Sequence, residues 1–228
     1  MNYVIDIAIV LIILMGAIIG FRRGVIHQSA TFVGFIIALG GAFLLKDWLG
    51  GMFLRWLPFN DFKDGIIYNV LFYQMLAFVI VFCIILGILK IFLTATDFLE
   101  RLLKMTVVLG IISKILGMIV GAIQYYLIAI VLVLFVSQPA VGMPGVEEST
   151  GAQRLLATAD NPANPMRNTV KALKEIQTLE IKANEDHNLQ VLDTMLNNKV
   201  VKVDIIDELV KMGKLNIPNI ESILSKYR

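Results

Sequence analysis

Long uncharged apolar runs, separated by short polar stretches, set the pattern of this chain. The first runs from Ile7 to Phe21 without a charge, and Tyr3, Val4 and Ile5 extend it. Its length approaches the ~20 apolar residues that cross a bilayer as helix. Arg22-Arg23-Gly24 follows, and then a second apolar run begins. The pattern predicts a transmembrane helix over 3–21, a tight basic turn, and a returning helix over 26–45. A third run covers 66–93 and a fourth 115–136. Residues 46–65 carry Trp48 and Trp56 among charges that cancel, the composition of a loop lying at headgroup level. In 94–105, Asp97, Glu100, Arg101 and Lys104 fall on one helical face, which predicts a short interfacial amphipathic helix.

After Val136 the pattern changes. Pro139, Gly142, Pro144 and Gly145 close the apolar part, and 139–160 reads as a linker. Residues 161–228 carry four short helical signals. Asn164-Pro165 opens the first, ahead of Val170, Leu173 and Ile176. Leu189, Leu192 and Leu196 mark the second; Asp204 to Met212, stopped by Gly213, is the third; Pro218 to Lys226 is the fourth. The expected fold is all-α: an integral membrane bundle of four transmembrane helices (residues 1–138), an interfacial amphipathic helix and a small polar helical tail.

Two features bear on packing and chemistry. Gly16 with Gly20, and Gly117 with Gly121, are small-xxx-small pairs, which let backbones approach where lipid removes the hydrophobic incentive to pack. Packing within the chain is the first reading of these glycines, and a dimer face the second. Asp6 stands near the start of the first helix. An acid there either faces water at the positive end of the helix dipole or turns inward, where an intramembrane carboxylate marks a functional site. It lies too far along the helix to pair with Arg22, so any partner must come from elsewhere in the chain.

Composition narrows the function classes. Hydrophobic residues make up 57% and charged residues 17%, against about 45–50% and about 25% in soluble domains. A net charge of +2, with no basic run longer than Arg22-Arg23, gives no footprint for nucleic acid. The single cysteine, Cys83, excludes a disulfide within the chain and reads as a small buried apolar residue. The arginines follow the first apolar run instead of preceding it, so that run reads as a retained helix and not a signal peptide. His27 and His187 lie far apart in sequence, and H-E-x-x-H, G-x-S-x-G and Walker patterns are missing. The reading is non-enzymatic, with no catalytic residue, no metal and no cofactor. Loops one and three carry Arg22, Arg23, Arg101, Lys104 and Lys114, against Lys46, Arg55 and Lys63 in loop two. By the positive-inside rule the amino terminus and the tail are then extracytoplasmic.

With these residues in view, the chain resembles the colicin V production (CvpA) family of small bacterial membrane proteins. The resemblance rests on Asp6 early in helix one and on the glycines leading into Phe21-Arg22-Arg23-Gly24. It also rests on Lys114 ahead of the glycine-rich last helix, Gly117 to Gly121. It covers roughly residues 1–140. The family often has an Asn/Asp-Arg pair where this chain has Ser113-Lys114. The resemblance implies a multi-pass inner or plasma membrane protein that supports toxin production, export or envelope homeostasis. The expected partners are the lipid bilayer and a protein met through the tail, with a homo-oligomer also open. The alternative is a channel or transporter component acting as an oligomer, with Asp6, Gln74 and Gln124 the candidates to line its path.

Overall fold

A computed structural model describes residues 2–59, 65–103, 110–138, 141, 143–146, 148–160, 167–179 and 185–228, with the side chains of 2, 92–103 and 185 outside the description. Among the described residues the chain is all-helical: α1 (Asn2–Arg23), α2 (Val25–Trp56), α3 (Tyr68–Leu103), α4 (Gly110–Val136), α5 (Thr150–Ala159), α6 (Arg167–Thr178), α7 (Glu185–Asn197), α8 (Val203–Lys211) and α9 (Ile220–Tyr227). Four of them, α1 to α4, are long and apolar enough to cross a membrane. The chain divides into two compact units. Unit 1 is Met1–Ala42, Ile80–Val133 and Gly145–Leu155; unit 2 is Phe43–Val79, Leu134–Pro144 and Leu156–Arg228.

In unit 1, α1 and α4 meet backbone to backbone, and a single residue, Gly24, separates α1 from α2. Phe35 of α2 packs edge-on against Phe82 of α3, with ring centroids 5.4 Å apart. The outward faces carry Ile7, Leu11, Leu14 and Ile18 of α1, Val33 and Ile37 of α2, and Ile84 and Ile88 of α3, all exposed. Such a belt is stable only against lipid. Cys83 belongs to it: the thiol is exposed, not buried as its composition suggested. A helix that is apolar on every side gives no sequence cue to which face is inside.

In unit 2, Leu54 of α2 and Ile67, Tyr68 and Leu71 around the start of α3 are buried together with Leu134, Leu173, Ile176, Leu192, Met195, Leu209 and Leu224. The tail is therefore not a separate body. Lys214 reaches the end of α2 and donates to the carbonyls of Leu54 (2.8 Å), Arg55 and Leu57 (3.0 Å). These are orphan acceptors of a helix C-terminus, where a cation is also favoured by the dipole. Arg55 pairs with Glu208 at 2.6 Å, and Lys202 with Asp47 at 3.2 Å. Tyr68 and the buried His187 share a 3.0 Å hydrogen bond.

Several boundaries differ from the sequence expectation, each for a local reason. Helix two does not stop at residue 45. α2 continues through Lys46, Asp47 and both tryptophans to Trp56, because tail residues satisfy its polar groups and its last carbonyls. Its 32 residues measure about 48 Å, well beyond the ~30 Å hydrocarbon core. Helix three has no break at 93: the backbone of 94–103 prolongs α3. The side chains of Asp97, Glu100 and Arg101, and all of Lys104 and Met105, lie outside the described residues, as does the Asn164-Pro165 start. Helix four begins at Gly110. The stretch 139–160 is not all linker, since α5 occupies Thr150–Ala159.

Candidate functional site

The polar and glycine residues singled out in the sequence gather along α1 and the helices that touch it in unit 1. The seam between α1 and α4 is built on four glycines. A Cβ on Gly20 would run into the carbonyl of Gly117, and one on Gly121 would stand 3.0 Å from the Cα of Gly20. A Cβ on Gly117 would lie 2.7 Å from the carbonyl carbon of Gly24, and one on Gly16 would overlap the Tyr125 side chain. The pairing is antiparallel and internal to the chain. At this separation dispersion contacts between backbones replace the hydrophobic effect that lipid does not supply.

At the basic end of the seam the chain reverses. Gly24 has φ +79°, a left-handed conformation that closes α1 through its N–H to the carbonyl of Gly20 at 2.9 Å. The next N–H, that of Val25, donates to Ser113 Oγ at 3.2 Å. Ser113 thus makes a polar contact with the turn, from a position where the family pattern often has Asn or Asp. Lys114 holds its ammonium 5.9 Å from the centre of the Phe21 ring, a cation–π distance. Arg22 and Arg23 are exposed. One turn into α2, Gln28 is buried and donates through Nε2 to Gln124 Oε1 of α4 at 2.7 Å. A carboxamide pair of this kind fixes the register of two apolar helices, because either partner alone would be an unpaired dipole in hydrocarbon.

At the other end of α1, Asp6 Oδ1 accepts from the Ser149 hydroxyl at 2.6 Å and from the Gly151 N–H at 2.8 Å. Ser149 Oγ in turn accepts from the Ala152 N–H at 3.0 Å. Ser149 is the N-cap of α5, and Asp6 is a second cap supplied from another helix. Two of the orphan donors of α5 are satisfied, with a carboxylate at the positive end of the dipole. The partner Asp6 needed thus lies within the stretch expected to be a linker. A serine just ahead of a helix is a readable capping signal, but the flanking Pro and Gly residues hid it.

Of the three residues proposed to line a transport path, Asp6 caps α5 and Gln124 is bonded to Gln28. Gln74 is buried in unit 2, against Gly50. Among the described residues no group of His, Cys, Asp and Glu side chains is arranged to hold a metal ion.

The chain is similar to the uncharacterized transmembrane protein YshB of Bacillus subtilis (strain 168), with 29% identity over 140 residues, covering 58% of this chain and 76% of that protein. No solved structure matches it. The polar contacts just described, from Asp6 and the glycine seam through Ser113 to the α5 cap, all fall within residues 5–160, the segment that matches the model of the Colicin V production protein family, and the chain belongs to that family.

Proposed function

We propose that this multi-pass membrane protein is non-enzymatic and supports toxin export or envelope homeostasis by engaging a protein partner through its carboxy-terminal helices. The observation that carries the reading is the position of those helices. α6 to α9 lie beyond residue 160, where the family match ends, yet they have a buried core and join unit 2. Folding a polar segment onto the end of α2 gives a membrane protein a rigid surface in water. Lys171 of α6, Lys211 of α8 and Glu221 of α9 are exposed, and the family name supplies the process. The four apolar helices and the Asp6–Ser149 bond favour an even number of crossings, and the positive-inside count then favours a tail outside the cytoplasm.

A photo-crosslinker introduced in place of Lys171 or Lys211 in the full-length protein, in living cells, tests the partner. One protein captured from both positions, and not from the lipid-facing Ile84, is the expected result. Lipid and background adducts alone would remove the partner role. The side is tested with a cysteine at Ser225 in a Cys83→Ser background. Labelling by a membrane-impermeant thiol reagent in intact protoplasts places the tail outside; protection until lysis places it in the cytoplasm.

A further inference from the structure

Unit 1 contains a cavity of about 380 Å³ to which α1, α2, α3 and α4 all contribute. Its volume lies in the ~300–1,000 Å³ range of small-molecule sites. One end is cationic: Arg23 closes α1, Lys90 lies on the facing side of α3, and both are exposed. His27, one turn into α2, stands with them. No carboxylate lines the cavity among the described residues. Farther in, one helical turn from Lys90 and from Gln124 respectively, the wall is apolar, with Leu86 and Ile128. Gln124 spends its carbonyl oxygen on Gln28, which leaves its amide N–H groups to donate into the cavity it lines.

A ligand complementary to these walls is an amphiphile with an anionic, hydrogen-bond-accepting head and an apolar body. The rim decides how it arrives. Ile26 and Ile88, next to the cationic residues, are 65% and 49% exposed and belong to the lipid-facing belt. We propose that this cavity binds the phosphate-bearing headgroup of an anionic membrane lipid. Arg23 and Lys90 hold the phosphate, Gln124 donates to a headgroup oxygen, and the leucine and isoleucine wall takes the start of the acyl chains. Basic pockets between transmembrane helices recognise such headgroups by this chemistry. A free phosphate would use the same two cations but gain nothing from the apolar wall.

The test uses the purified full-length protein in mixed micelles of phosphatidylglycerol and phosphatidylcholine, with lipid retention read by native mass spectrometry. The wild type is expected to retain phosphatidylglycerol over phosphatidylcholine. The double variant Arg23→Gln/Lys90→Gln is expected to lose about tenfold or more of that preference. Arg22→Gln, which removes the same charge one residue outside the lining, should keep it. Thr31→Phe narrows the cavity without changing charge and should lose retention too, which keeps the test decisive if the double variant folds poorly. Equal retention of the two lipids by the wild type, or equal retention of phosphatidylglycerol by wild type and both cavity variants, would overturn the proposal. Competition by inorganic phosphate at the same concentration as the lipid would overturn the lipid assignment in favour of a soluble anion.

Discussion

Along the α1–α4 seam of unit 1, contact is made by what is missing: without side chains at Gly20, Gly117 and Gly121 the two backbones meet directly. At the carboxyl end of α2 in unit 2, contact is made by what is added: the Lys214 ammonium on the last carbonyls, the Arg55–Glu208 pair and the Lys202–Asp47 pair. Both arrangements hold helices together, but in different solvents. In lipid an apolar side chain gains nothing by turning inward, so close approach and van der Waals contact are what remain. In water, apolar burial drives the packing, and charged groups are free to complete helix ends. The comparison teaches that the two regions should respond to different kinds of damage.

The largest effect is expected at the seam. Gly117→Leu forces a side chain into the backbone of Gly20 and Gly24 and should cost about 3 kcal/mol or more, seen as loss of monodisperse protein in detergent. Gly213→Ala makes the contrast. It changes a glycine with φ +69° and no atom near its would-be Cβ, so only the left-handed strain of about 1–2 kcal/mol is felt. If the two substitutions proved equally harmful, space would not be what distinguishes the seam.

Next comes Lys214→Met, which keeps the length of the side chain and removes the cap. It should cost about 2 kcal/mol and speed amide exchange in the last turn of α2, leaving α1 and α4 unchanged. Gln124→Leu leaves Gln28 without its partner and should cost about 1 kcal/mol in a thermal scan; adding Gln28→Leu should recover most of that loss. An unrecovered double variant would mean that the pair does more than satisfy itself.

The smallest effect is one of pH, confined to unit 2. The Asp193 carboxylate, by accepting hydrogen bonds from Lys226, raises the lysine above its ordinary value of 10.5. A raised folded-state pKa contributes stability that is complete below 10.5 and is lost as pH climbs through the raised value. Alkaline unfolding of the α7–α9 region should therefore begin above the ordinary lysine range, and Asp193→Asn should abolish that late component. The backbone contacts among Gly20, Gly117 and Gly121 involve no side chain and should show no such response.

The same contrast explains what could be read in advance. The four apolar spans, the glycine pairs and the short basic turn were legible because a membrane helix advertises itself by length and by small residues at spacing four. The continuation of α2 past Leu45 was not, because Lys46-Asp47 and Gly50-Gly51 are loop-like by local propensity. What keeps that stretch helical comes from residues far along the chain, 154 positions away for Val200 and 160 for Lys214, with Lys202 between them. Lys214 itself, after Gly213, looks like any solvated lysine. The outward face of Cys83 was hidden by the uniform apolarity of α3. The cap of α5 was hidden by its partner: half of the signal is Ser149, and the other half is Asp6.

That last bond also imposes an order on biosynthesis. Asp6 leaves the ribosome well ahead of its partner, and its acceptor oxygen meets a donor 145 positions later. At ~5–20 residues per second the carboxylate waits about 7–29 seconds for Gly151 to appear. By then α2, α3 and α4 have been made. Asp6 therefore works as a clasp that closes only once those helices exist.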